Sequence, residues 1–148
     1  MSERNAHAAT IITILALALT STASAKTSGK DMLVAHGRMI LAGSSSSEII
    51  EDYLHGKTSH CTITPGHLID CDAGPDAEMR FRFKDDSLVE WSMIDLDSKR
   101  CGEIGSSLLE AWGFPKGDLY WFPKLVFSFR IHSYGCGFSV MARSEYER

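Results

Sequence analysis

The strictest alternation of apolar and charged residues in the chain is Met79-Arg80-Phe81-Arg82-Phe83-Lys84. A period of two sends alternate side chains to opposite faces, so this run predicts a strand with one buried and one wet face. Asp85-Asp86-Ser87 reads as a turn, and Leu88 to Ile94 as the returning strand. If Lys84 pairs with Leu88, then Phe83 faces Val89, Phe81 faces Trp91 and Met79 faces Met93. That register also sets Arg82 opposite Glu90, so the apolar and charged pairings agree. Leu125, Phe127, Phe129 and Ile131 alternate with Val126, Ser128, Arg130 and His132 in a later strand. After a Tyr134-Gly135 turn, Cys136, Phe138, Val140 and Ala142 share a face of the last strand. Two short strands flank Pro65-Gly66 between Cys61 and Cys71.

Two stretches carry helical spacing instead. Ile49, Ile50, Tyr53 and Leu54 lie on one face, Ser45 and Glu48 stand at capping-box distance, and Gly56 is a stop. Ile104, Leu108, Ala111 and Trp112 form a second stripe, weakened at its start by Gly102 and Gly105 and closed by Gly113 and Pro115. Met32 to Leu41 is apolar with a break at His36-Gly37 and reads as a strand or small hairpin. Lys26 to Lys30 reads as a frayed polar lead, and Ser144 to Arg148 as a charged tail. The expected fold is α+β: a small antiparallel sheet with two short helices packed on one face and stapled by disulfides.

The start of the chain changes the compartment. Arg4 and His7 lie in a short polar region, Ala8 to Thr20 is almost purely apolar, and Ala23 and Ala25 have the small-residue pattern of a cleavage site. Residues 1–25 therefore read as a signal peptide cut between Ala25 and Lys26, leaving residues 26–148 as one domain. The apolar run is shorter than the ~20 residues a spanning helix needs, so no stable membrane insertion is expected after cleavage. A periplasmic or extracellular location follows. The net charge of −4 includes one acid and one base from the signal, Glu3 and Arg4, so the mature chain keeps the same net charge. That balance disfavours nucleic acid as the main partner.

All four cysteines fall after the signal, and an even count in an exported chain reads as two disulfides with three possible connectivities. Cys61 and Cys71 are equidistant from Gly66, so a symmetric hairpin places them opposite each other and leaves Cys101 for Cys136.

Candidate chemistry is sparse. His55, His60, Cys61, His67 and Cys71 are imidazole and thiolate groups that suit zinc or copper, which makes a metal-binding envelope protein the alternative reading. Export favours a disulfide there, so no metal and no cofactor are expected. Asp70, Asp72, Asp76 and Glu78 do not fit an EF-hand loop. His132, Asp95, Asp97 and Glu103 are possible acid–base groups that nothing in the sequence converges, and Ser106-Ser107 lacks a nucleophile elbow. No catalytic residue is assigned and the protein is read as not an enzyme. Arg80, Arg82 and Lys84 form a basic stripe that suits an acidic partner, anionic lipid head groups or the wet side of a strand. The aromatic concentration around Trp112 yields the expected contact residues Phe114, Tyr120, Trp121 and Phe122, with Trp121-Phe122-Pro123 as the most exposed anchors. The partner would be a protein or another envelope component.

Gly43-Ser44-Ser45-Ser46-Ser47-Glu48-Ile49-Ile50 and Leu108-Leu109-Glu110-Ala111-Trp112-Gly113-Phe114-Pro115 resemble the opening and closing patterns of a helix–strand–strand unit. That unit is similar to those of small exported proteins of the β-lactamase inhibitor protein and outer-membrane assembly lipoprotein type. The resemblance implies a non-enzymatic binding or assembly role and transfers no individual residue.

Overall fold

The computed structural model describes residues 29–148; the segment read as a signal peptide and its expected cleavage site lie outside the described residues. The described residues begin with α1, Gly29–Leu41, where the sequence pattern indicates a frayed lead and then a strand or small hairpin. The reason lies in which residues α1 buries: Gly29, Leu33, His36, Gly37 and Ile40 are spaced as a helical stripe, but only two of them are conventionally hydrophobic. Gly29 lets α1 approach the second long helix, since a Cβ there would stand 2.5 Å from Ile104 Cγ2.

Helix α2, Ser46–Glu48, has the expected capping box from Ser45 and Glu48 and runs into a π-helical turn, Ile49–Tyr53. Gly56 closes this segment at φ 73°, with its N–H bonded to Ile50 O. Four strands follow: β1 (Cys61–Thr64), β2 (Leu68–Asp72), β3 (Ala77–Lys84) and β4 (Ser87–Asp95). Helix α3, Ser98–Trp112, is capped by Asp97, whose carboxylate accepts from the Lys99 and Arg100 amides. The chain ends with β5 (Leu119–Trp121), β6 (Leu125–His132), β7 (Gly135–Ala142) and α4 (Arg143–Tyr146). The fold is α+β, but the sheet has seven antiparallel strands and the described residues form four α-helices, rather than a small sheet with two.

The strand order is β1-β2-β3-β4-β7-β6-β5, so two meanders meet where β4 pairs with β7. In the β3–β4 hairpin Phe81 pairs with Trp91, Met79 with Met93 and Arg82 with Glu90, in the register expected from the alternation. The tip differs. Asp85 and Asp86 both adopt positive φ, 51° and 56°, which closes a two-residue turn between Lys84 and Ser87. Phe83 then meets Leu88, and a shift at Arg82/Phe83 absorbs the extra residue. The Asp86 carboxylate accepts from the Ser46 amide at 3.0 Å and the Ser46 hydroxyl at 2.7 Å, tying this tip to α2.

One face of the sheet supplies the core. Ile69, Phe81, Trp91, Val140 and Phe138 are at most 2 % exposed, beneath Leu33 of α1 and Leu108 of α3. The other face is open except at one corner, where α4 folds over it. There Lys84 pairs with Glu145 at 3.4 Å, and Val126, paired with Trp121 and Met141, is buried outside the main core. Cys61 bonds to Cys71 directly across β1 and β2, and Cys101 bonds to Cys136, fastening α3 to β7. Both bridges are those the sequence favoured.

Gly102 sits exposed inside α3 with nothing within 4 Å of a built Cβ. Gly102→Ala should therefore raise unfolding stability by about 0.5–1 kcal/mol, read as a higher urea midpoint at unchanged slope.

Candidate binding surface

The open face is ordered in rows by the sheet register. The central row runs Thr62, Asp70, Arg80, Ser92, Ser139, Ser128 across β1 to β6. Its middle is made of small residues: the Ser128 and Ser139 hydroxyls bond at 2.6 Å, and Gly137 lies one row further along. Strand alternation puts these side chains outward because their neighbours Trp91, Phe127, Phe138 and Val140 take the core side.

The basic stripe of β3 is matched by carboxylates. Arg80 meets Asp70 at 2.9 Å, Arg82 meets Glu90 at 3.5 Å, and Lys84 meets Glu145 at 3.4 Å. The Asp70 hydrogen bond holds Arg80 still more firmly in its charged form, and Asp70 also raises the pKa of Glu78 by hydrogen bonding and charge repulsion. The face is thus a charge mosaic rather than a cationic strip for anionic lipid.

At the β5 corner the aromatic run divides. Adjacent strand residues point to opposite faces, so Trp121 goes to the open side and Tyr120 to the core. Tyr120 is 7 % exposed; its hydroxyl donates to Gly113 O at 2.9 Å, and its ring packs on Trp112. Phe122 is half-buried between Trp112 and Phe127. Trp121 stays 39 % exposed, yet its ring is held: the Arg143 guanidinium lies 5.2 Å above it and Tyr146 meets it edge-on at 5.1 Å. Arg143 is itself fixed by Glu147 at 2.6 Å and by the Phe122 carbonyl at 3.3 Å. A groove of about 560 Å³ lined by Pro123, Lys124, Arg143, Ser144 and Glu147 borders this corner. Phe114, in the loop after α3, is 90 % exposed.

The other sequence candidates take structural places. Cys61 and Cys71 are bonded to each other, which removes both thiolates from the proposed metal set, while His55, His60 and His67 are exposed around them. Among the described residues no group of three or more His, Cys, Asp or Glu is placed to share a metal ion. Asp95 is buried and takes a two-point contact from Arg100 at 2.8 and 3.0 Å, joining the end of β4 to α3. Asp97 is the α3 cap, Glu103 is exposed, and His132 stacks on Tyr134. Ser107 donates to Ile104 O, and Ser106 is exposed.

His36 is the titratable group that the sequence reading passed over. It is 2 % exposed and stacks on Trp91 with centroids 3.6 Å apart and an 11° tilt. Nδ1 lies 2.7 Å from Met32 O, which assigns the proton to Nδ1 and leaves Nε2 to accept from the Tyr53 hydroxyl at 3.0 Å. Burial lowers its pKa from 6.5 to about 4, against a smaller raising effect of the Met32 bond. Tyr53 is 37 % exposed as a residue, but its hydroxyl lies against His36 Nε2 and Met79 Sδ, and burial raises its pKa. The signal available in the sequence was the spacing of Leu33, His36, Gly37 and Ile40.

Compared with protein-family models, with curated proteins and with solved structures, the chain matches none of them. The two disulfides point to an oxidising, non-cytoplasmic compartment. No helix among the described residues is long and apolar enough to cross a membrane.

Proposed function

We propose that this is an exported, non-catalytic binding domain that captures a protein partner on the open face of its sheet, with Trp121 as the principal anchor. Release into the periplasm or the medium would follow cleavage between Ala25 and Lys26. The observation that carries this reading is the clamped Trp121 ring, a half-exposed aromatic held by two residues of α4, Arg143 over the ring and Tyr146 edge-on. A fixed aromatic loses little conformational freedom on docking, which is why such residues dominate interface energetics. The neighbouring serine floor admits close approach, and the surrounding paired charges give a rim that selects complementary charge. Tyr120 and Phe122 support the corner from beneath, and Phe114, exposed in the loop that follows α3, is a separate candidate contact.

Trp121→Ala should cut retention of the native partner by about 30-fold, the effect of losing a ~2 kcal/mol anchor. The same change should cost folding no more than about 1 kcal/mol, as for other partly exposed positions. Binding would be read by co-purification from the native envelope after crosslinking, and folding by thermal melting of the purified domain. Unchanged retention, or global unfolding, would contradict the assignment.

A further inference from the structure

The two disulfides occupy opposite environments. Cys101 and Cys136 are 3 % and 0 % exposed, enclosed between α3 and β7. Cys61 is half-buried on β1, the outermost strand, and Cys71 on β2 is 3 % exposed. The Cys61–Cys71 bond links β2 to the edge strand β1 along the core-facing side of the sheet, and Cys61, nearer the free edge, is the more exposed of the two. Thiol–disulfide exchange needs a thiolate to approach one sulfur in line with the bond and from behind it, so access decides which bridge reacts. For Cys61 that approach comes from the open edge; for Cys101 and Cys136 it is blocked by packed core.

The strand carrying Cys61 is also weakly held. β1 is four residues long and is bonded to β2 alone, with Thr62 and Thr64 exposed and Ile63 half-buried. Besides the bridge and this short ladder, Cys61 and Ile63 pack against the margin of the core.

We infer that Cys61–Cys71 is a thiol-exchange site, opened reversibly by a dithiol reductant of the oxidoreductase class while Cys101–Cys136 stays closed. A thiolate of the dithiol attacks Cys61 Sγ, the Cys61–Cys71 bond breaks, and Cys71 leaves as a thiolate that takes a proton from water. The second thiolate of the dithiol then attacks its own sulfur in the mixed disulfide. It closes a cyclic disulfide and releases Cys61, which is protonated in turn. Two electrons pass from the dithiol to the protein bridge. Edge strand β1 then loses its covalent tie to β2, while the core and the α3–β7 staple remain. This site is separate from the Trp121 corner and does not depend on the binding proposal.

The test uses the native, fully oxidised protein at neutral pH with graded dithiothreitol, iodoacetamide quenching and peptide mass spectrometry. Carbamidomethylation at Cys61 and Cys71 should appear at least 10-fold faster than at Cys101 and Cys136. Hydrogen exchange of the singly reduced form should rise in β1 and stay low in α3, β6 and β7. Equal rates at the two bridges, faster reaction at Cys101–Cys136, or loss of protection throughout the sheet once Cys61–Cys71 opens would each overturn the inference.

Discussion

Acidification from neutral pH to about 4 should cost the folded domain about 3 kcal/mol through one side chain, His36. Its pKa falls from 6.5 in the unfolded chain to about 4 in the buried site. Above that window both states hold neutral imidazole, and the stability associated with His36 is fully present. As pH drops below 6.5 the unfolded chain binds a proton that the native state refuses, so stability falls until the native pKa is reached. The groups facing the ring are Met32 O, the Tyr53 hydroxyl, Trp91 and Phe81, none of them an anion that would hold an imidazolium. The carboxylates of Asp86 and Asp97, held down by hydrogen bonds from Ser46 and Arg100, act in a lower window, below their unfolded value of 3.8. Urea unfolding at a series of pH values should show the slope in wild type and a flattened slope in His36→Phe. Equal slopes in the two proteins would contradict this assignment.

Gly135→Ala should be more damaging than removal of most core methyl groups. Gly135 opens β7 at φ 149°, and a Cβ there would overlap the Asp95 carbonyl oxygen and stand 2.8 Å from Leu96 Cα. Both obstacles are backbone, in the segment that joins β4 to the Asp97 cap of α3. Neither can rotate away, so the β4–β7 pairing and the Cys136 position must shift together. The expected loss is about 3 kcal/mol or more in urea unfolding. A loss below about 1 kcal/mol would mean that the β6–β7 turn relaxes independently of β4. Gly102→Ala, with its opposite sign, is the internal comparison.

Where a single physical rule governed a segment, the fold was readable from residues alone. Met79 to Met93 has two agreeing constraints, apolar pairs on one face and Arg82 with Glu90 on the other, and the register follows from them. The bulge was not readable, because the turn could close at two residues only by placing two aspartates at positive φ. Helix α1 escaped because its buried stripe uses Gly29, His36 and Gly37, which a hydrophobicity pattern scores as breaks although close helix packing requires small residues there. Strand β5 is three residues long, too short for periodicity to register. The same omission blurred the candidate surface: without a strand at Leu119–Trp121, nothing separates Tyr120, turned inward, from Trp121, turned outward. The open face itself is assembled from residues far apart in sequence, Asp70, Arg80, Ser92, Ser128 and Ser139, and becomes a surface only through the β4–β7 junction.

Site-specific photocrosslinking in the native envelope tests the binding proposal most directly. A benzophenone side chain would replace Leu119 or Ser139 on the open face, with Ser106 on the outer side of α3 as the control. The account predicts one discrete crosslinked species from both open-face positions, lost when Trp121→Ala is added, and none from Ser106. Crosslinks from Ser106 alone, or open-face crosslinks indifferent to Trp121→Ala, would contradict it.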